Sequence, residues 1–266
     1  MRQATGLFAG LALILATACG GGGGGGGDDD GDDSGDGGGG DGGGSSGGTE
    51  CSNGVDDDDD GLADGQDPEC TGAADDDESS FATGIPGDNV DPKWQDCFFD
   101  GNSGAGNDGC RFHTCCLLGA EGGDDCPVDH NFDPQDDCPE QTDECIDFCA
   151  ALTPPGCDCF GCCTVCDPDS NQCFDILTNP AVAPDCTLDV IDDPDLCPSC
   201  FKNLECQGGE CEPRGCTLCP GQTEEDLPPE CEGENECPGT ETPCETTADC
   251  GAGEYCSASC CINEVE

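Results

Sequence analysis

The chain has 266 residues, of which 61 are acidic and five are basic, and its formal charge at neutral pH is −56. This balance excludes nucleic acid as a partner and excludes a polybasic membrane-binding surface, because phosphate recognition needs clustered lysine and arginine. Leu, Ile, Val and Phe supply only 31 of the 216 residues from Cys51 onward, so a conventional hydrophobic core is also excluded.

The first 18 residues have the composition of a secretory signal. Arg2 precedes an apolar run, Leu7–Leu15, and small residues follow up to Cys19. The run is much shorter than the roughly 20 residues that span a bilayer. The sequence therefore predicts export, with a signal peptide over residues 1–18.

Ala16-Thr17-Ala18-Cys19 resembles the bacterial lipobox, with Ala16 where leucine is more usual. In that family the cysteine receives a diacylglycerol thioether and becomes the acylated amino terminus. The resemblance implies lipidation at Cys19, a membrane partner reached through the lipid, and an outer-membrane location, because Gly20 rather than aspartate follows. The alternative is a signal cut near Cys19 that leaves a secreted protein.

Residues 19–50 predict a disordered tether. From residue 20 to residue 48 the chain contains only Gly, Asp and Ser, beginning with eight consecutive glycines. Such a segment has almost nothing to bury and a large backbone entropy to lose. As a flexible coil, its ends would lie about 30 Å apart on average.

The remaining 30 cysteines lie between Cys51 and Cys261. An even number is what a fully paired disulfide set requires, and export supplies the oxidising compartment. Each disulfide that closes a loop of about 15 residues stabilises the fold by roughly 3 kcal/mol, because it lowers the conformational entropy of the unfolded chain. We expect a small disulfide-rich fold, mostly irregular, with short β-strands and one or two short helices.

Residues 51–70 form the first predicted module, an Asp-rich loop between Cys51 and Cys70. With Asp56 as position 1 of a twelve-residue calcium loop, Gly61 falls at position 6, where the chain must turn sharply. Carboxylates then fall at positions 1, 3, 5, 9 and 12, and a backbone carbonyl at position 7. The predicted calcium ligands are Asp56, Asp58, Asp60, Leu62, Asp64 and Asp67.

This loop resembles those of thrombospondin type 3 repeats and dockerins, and the flanking cysteines favour the thrombospondin comparison. Aspartate instead of glutamate at position 12, and the lack of convincing flanking helices, distinguish it from an EF-hand. The alternative is a solvated acidic stretch without a metal.

The rest of the chain divides by composition into four predicted segments. Residues 71–96 predict a linker, 97–219 the cysteine-rich body, 220–236 an acidic Pro-rich connector, and 237–266 a C-terminal cysteine-knot module. Within the body we predict a helix over Thr142–Leu152, a hairpin turn between Cys166 and Cys173, and a weak strand over Thr187–Ile191.

Four C-x-x-C pairs raise metal and redox alternatives. Cys197/Cys200 and Cys216/Cys219 have zinc spacing, but Cys206 and Cys211 lie between them, and exported thiols are oxidised. Cys197-Pro-Ser-Cys200 faintly resembles a glutaredoxin dithiol. The aspartates that precede it would raise rather than lower a thiol pKa.

The sequence contains no recognisable arrangement of catalytic residues. The two histidines, His113 and His130, have no nucleophile motif beside them, so we expect no enzyme. The segment Cys244–Cys261 is similar to the short cysteine repeat of Dickkopf-like secreted proteins, which implies only a small cross-linked knot.

The whole chain resembles the cysteine-rich surface lipoproteins of myxobacteria. The sequence therefore predicts a surface-exposed envelope lipoprotein that binds calcium and contacts an unidentified protein or surface polymer. An exported hydrolase or thiol oxidoreductase, and a protease-inhibitor knot, are the alternatives.

Overall fold

The structure, a computed structural model, describes residues 48–85, 90–101, 108–212, 216–231, 237, 242–244, 247–257 and 260–263. The predicted signal, Cys19 and nearly all of the predicted tether lie outside the described residues. The described residues belong to one compact unit of the chain.

Disulfides dominate the architecture. Fifteen of them join all 30 cysteines from Cys51 to Cys261, with sequence separations from 6 to 52 residues. The predicted disulfide-rich fold with short strands and short helices is confirmed. None of the four C-x-x-C pairs is bonded within itself. Cys197 is bonded to Cys186 and Cys200 to Cys162, so neither sulfur is a free zinc or redox thiol.

Three two-stranded antiparallel sheets form in the described part of the chain. Strands β1 (Trp94–Gln95) and β2 (Phe112–His113) form the first, β3 (Cys162–Asp167) and β4 (Gln172–Leu177) the second, and β5 (Glu254–Ser257) and β6 (Cys260–Asn263) the third. The predicted turn between Cys166 and Cys173 joins β3 to β4. These two cysteines face each other across the hairpin and are bonded.

The helices are short. They are α1 (Thr114–Leu117), α2 (Pro134–Asp137) and α3 (Asp143–Cys149). The predicted cap of α3 is confirmed, because the Thr142 hydroxyl accepts the Cys145 N–H at 3.1 Å. The buried cysteines of α3, Cys145 and Cys149, are bonded to Cys110 and Cys97. Within the described residues no helix is long and apolar enough to cross a bilayer.

The strand predicted over Thr187–Ile191 is wrong. Residues Leu188–Val190 form a 3₁₀ turn, with short-range bonds such as Val190 N–H to the Thr187 carbonyl at 3.2 Å. The disulfide between Cys186 and Cys197 closes an eleven-residue separation. We attribute the turn to this closure, which makes the chain bend back on itself.

The core is a mixture of disulfide sulfurs and a few large side chains. Its main cluster includes Phe98, Leu117, Phe160 and Leu177, each at most 2% exposed. Phe112 stacks on Phe160 with ring centroids 4.9 Å apart. The scarce apolar residues therefore concentrate where many of the disulfides meet.

Residues 71–85, inside the predicted linker, pack against the Asp-rich loop. Glu78 is fully buried there, and its carboxylate accepts the backbone N–H groups of Asp57 and Asp64. Phe81 is also buried, at 1% exposure. This segment supports the Asp-rich loop directly.

The C-terminal hairpin, formed by β5 and β6, also contacts the Asp-rich loop. Gly65 pairs with Ser257, and the Thr247 hydroxyl donates to Asp64 Oδ2 at 3.0 Å. A Cβ at Gly65 would collide with the Cys256 carbonyl, so the close approach requires glycine. The two ends of the cysteine-rich region thus meet at the Asp-rich loop.

Candidate metal centre

The Asp-rich loop folds through bonds between its own carboxylates and its backbone. Asp58 Oδ1 accepts the Asp60 N–H at 3.0 Å, and Asp60 Oδ1 accepts the Leu62 N–H at 2.7 Å. Asp56 Oδ2 accepts the N–H of Gly61 at 3.0 Å. Gly61 has φ +104°, a conformation that favours glycine, as its position in the calcium-loop register predicts.

Four carboxylates converge beside this loop. One oxygen from each of Asp58, Asp60, Asp67 and Glu69 lies within 4.8 Å of the others. Asp67 and Glu69 are each 2% exposed, whereas Asp58 is half-buried and Asp60 is exposed. The cluster thus has a buried side and a side that faces solvent.

The buried side contains an oxygen without a partner. Asp67 Oδ1 accepts the Glu69 N–H at 2.7 Å, but Asp67 Oδ2 is buried and has no hydrogen-bond partner among the described residues. Burial of an unsatisfied carboxylate oxygen is costly unless a proton or a cation compensates it. Asp67 also approaches Glu78 and Cys70, but the Cys70 sulfur is bonded to Cys51 and leaves too few ligands there for calcium.

Two other predicted ligands, the carboxylates of Asp56 and Asp64, lie outside the four-carboxylate cluster. Asp64 accepts the Gly54 N–H at 3.0 Å and the Thr247 hydroxyl, so it joins the loop to the 3₁₀ turn Thr247–Asp249 that precedes the C-terminal hairpin. Asp56 has one buried oxygen without a partner, Oδ1, beside the oxygen that accepts from Gly61. Leu62 was predicted to offer its backbone carbonyl, which its burial at 3% exposure does not test.

The twelve-residue register did not identify Glu69, because Glu69 lies two residues beyond its end. Glu69 reaches the cluster from the Cys70 side, and its Oε1 accepts the Leu188 N–H at 3.1 Å. The one local signal is the position of Glu69 next to Cys70, which the disulfide to Cys51 holds at the end of the loop; its contact with Leu188 has no local signal. The cluster therefore connects the Asp-rich loop to the 3₁₀ turn of the body.

The electrostatics of the cluster favour a positive occupant. Burial raises the pKa of Asp67 to about 9, and burial raises the pKa of Glu69 to about 7, with further increases from nearby carboxylates. The pKa values of Asp58 and Asp60 are raised for the same reasons. Without a cation Asp67 retains its proton at neutral pH, and a divalent cation could replace that proton.

A cleft of about 650 Å³ opens beside the cluster. Asp58, Asp60 and Glu69 form part of one wall. The β3–β4 turn and the segment from Thr187 to Asp192 form the others. Among the described residues no basic side chain lines the cleft. Eight acidic side chains do so: Asp58, Asp59, Asp60, Glu69, Asp167, Asp169, Asp189 and Asp192.

The histidines lie apart from this centre. His113 is fully buried, its Nδ1 accepts the Cys115 N–H at 3.1 Å, and its Nε2 lies 3.7 Å from Asp129. Burial lowers the pKa of His113, so it packs as a neutral ring between Trp94 and Phe132. His130 is exposed. Neither histidine is next to a free thiol among the described residues.

A comparison of the chain with protein-family models, curated proteins and solved structures found no match.

Proposed function

We propose that this protein binds calcium at the cluster of Asp58, Asp60, Asp67 and Glu69, and that the ion orders the Asp-rich loop against the body. The observation that carries the proposal is the buried, unpartnered Oδ2 of Asp67 in a group of four convergent carboxylates. Calcium suits such a site because it is a hard cation that takes six to eight oxygens in flexible geometry.

The proposed setting is the bacterial cell envelope. Lipidation at Cys19 and the tether over residues 19–50 would hold the acidic, disulfide-cross-linked body at the cell surface. This part of the proposal depends on the sequence pattern alone. In that setting, adhesion or contact with another surface component is the role we propose.

Calorimetric titration of the chain with calcium chloride tests the binding. We expect one ion per chain with a dissociation constant of about 10⁻⁴–10⁻³ M, the range of extracellular calcium modules. At ten times that constant the ion would stabilise the fold by about 1.4 kcal/mol.

Two matched substitutions make the test specific. Asp60→Ala removes a carboxylate of the cluster and should weaken binding by tenfold or more. Asp57→Ala removes the same charge from an exposed neighbour outside the cluster, and it should change the affinity less than twofold. Equal effects of the two substitutions would mean that the loop is only a diffuse acidic surface.

A further inference from the structure

The position of the cluster in the cleft wall determines where a bound calcium ion would be accessible. Asp58, Asp60 and Glu69 line the cleft, whereas Asp67 lies behind them at 2% exposure. Four carboxylates that each give one oxygen leave at least two of the six to eight calcium positions unfilled. Those positions face the cleft, because the opposite side of the cluster is closed by protein.

The cleft restricts what can fill these positions. A ligand must offer oxygen lone pairs to a hard cation. It must also tolerate five acidic side chains outside the cluster, of which Asp167, Asp169, Asp189 and Asp192 lie on the facing walls. Carboxylate or phosphate ligands would meet like charges across a concave surface, where repulsion is strong.

Neutral hydroxyl groups meet both requirements. A pair of adjacent hydroxyls can give two oxygens to calcium. The same hydroxyls can donate hydrogen bonds to the carboxylates of the cleft, because an ionised carboxylate is only an acceptor. The walls also contain apolar surface, chiefly from the exposed Pro168, since Leu188 and Ile191 are only 9% and 4% exposed. Such surface can pack against the C–H face of a sugar ring.

We propose that the calcium-loaded cleft binds a neutral saccharide, through a vicinal diol on the ion and hydrogen bonds to Asp169 and Asp192. The volume of about 650 Å³ is within the usual range for small-ligand sites, about 300–1,000 Å³. This inference depends on the calcium binding proposed above, and it names the ligand class of the same site.

The alternative occupant is a lysine-rich peptide, and the two differ in their dependence on calcium. A saccharide needs the ion as its ligand. A cationic peptide would compete with the ion for the same carboxylates and would bind better after chelation. The sign of the calcium effect therefore separates the two occupants.

The experiment measures binding of the chain to immobilised mannan, galactan and dextran by biolayer interferometry, with calcium and with excess chelator. Hyaluronan serves as an anionic probe and hexalysine as a cationic one. We expect binding to at least one neutral polysaccharide in calcium, loss of at least tenfold in chelator, and no binding to hyaluronan. Binding of hexalysine that increases in chelator, without binding of a neutral polysaccharide, would overturn the inference.

Substitutions in the cleft wall locate the site. Asp169→Ala with Asp192→Ala removes two exposed carboxylates outside the calcium cluster, and it should weaken polysaccharide binding about tenfold or more. Asp124→Ala with Asp125→Ala removes the same charge from an exposed loop and should leave polysaccharide binding unchanged.

Calorimetry on the same samples separates the two proposals. If calcium binds and no polysaccharide does, the saccharide inference fails and the calcium proposal stands. If calcium does not bind, the proposed function fails, and the inference that depends on it fails too.

Discussion

Asp158 provides a test of how this fold treats a buried charge. Its side chain is fully buried, and its two oxygens accept three backbone N–H groups. Asp158 Oδ1 accepts from Phe160 and from Cys162, each at 2.9 Å, and Oδ2 accepts from Asn203 at 2.7 Å. The carboxylate thus joins the start of β3 to a segment about 40 residues later.

Burial raises the pKa of Asp158 to about 7 from 3.8, although the three N–H groups and the nearby Lys202 charge act in the opposite direction. A folded-state pKa above the unfolded one means that the native state binds the proton more tightly. The stability from this group is therefore complete below pH 4 and is lost as the pH rises through 7. Because one pKa unit corresponds to 1.36 kcal/mol, the loss amounts to about 4 kcal/mol.

Asp158→Asn removes this titration. The amide can accept from Phe160 and Cys162, but its NH₂ group would face the Asn203 N–H, so we expect a destabilisation of about 1–3 kcal/mol at pH 4. That deficit should shrink or reverse by pH 8, where the wild type must ionise its buried carboxyl. Guanidinium unfolding at pH 4 to 8, with disulfides intact and chelator present, measures the difference.

Asp147→Asn is the matched control, because Asp147 is exposed on α3. Its difference from wild type should stay within about 0.5 kcal/mol at every pH. If the unfolding free energy of Asp158→Asn differs from that of the wild type by the same amount at every pH, the reasoning is refuted. That result would mean that Asp158 is ionised in the fold from pH 4 to 8.

Three further predictions concern the cluster, the hairpin and the anchor. Glu69→Gln should weaken calcium binding, measured by calorimetry, by at least tenfold. Asp64→Asn should weaken it less, because Glu69 is in the cluster and Asp64 is not. The reverse order would favour the twelve-residue calcium loop as the site. Gly65→Ala should speed amide hydrogen exchange in β5 and β6, because its methyl group would push the hairpin away; unchanged exchange would mean that the hairpin does not depend on this contact. Cys19→Ser should abolish fatty-acid labelling in the native host, and labelling that persists would place the anchor elsewhere.

The sequence predicted the features that depend on local chemistry. The Thr142 cap, the turn between Cys166 and Cys173 and the position of Gly61 follow from residues within a few positions of one another. The even cysteine number predicted complete pairing. It could not predict the partners, because 30 cysteines allow a very large number of arrangements.

The features that the sequence did not predict depend on contacts between distant segments. Glu69 joins the cluster where Leu188 donates to it, and Asp64 accepts from Thr247. Both contacts span more than 100 residues, and no disulfide joins the segments that they connect, because Cys51 and Cys70 pair with each other and the last three disulfides are internal to the C-terminal segment. Glu78 was likewise missed, because a buried carboxylate that accepts two N–H groups has no local pattern in a chain with 61 acidic residues.

The central claim is that calcium binds at the four-carboxylate cluster, and a structure from crystals grown in the presence of calcium tests it most directly. We predict one ion bound by oxygens of Asp58, Asp60, Asp67 and Glu69 at about 2.3–2.6 Å, with its remaining positions open to the cleft. Calcium density that is absent from the cluster, or that lies elsewhere on the acidic surface, would contradict the account.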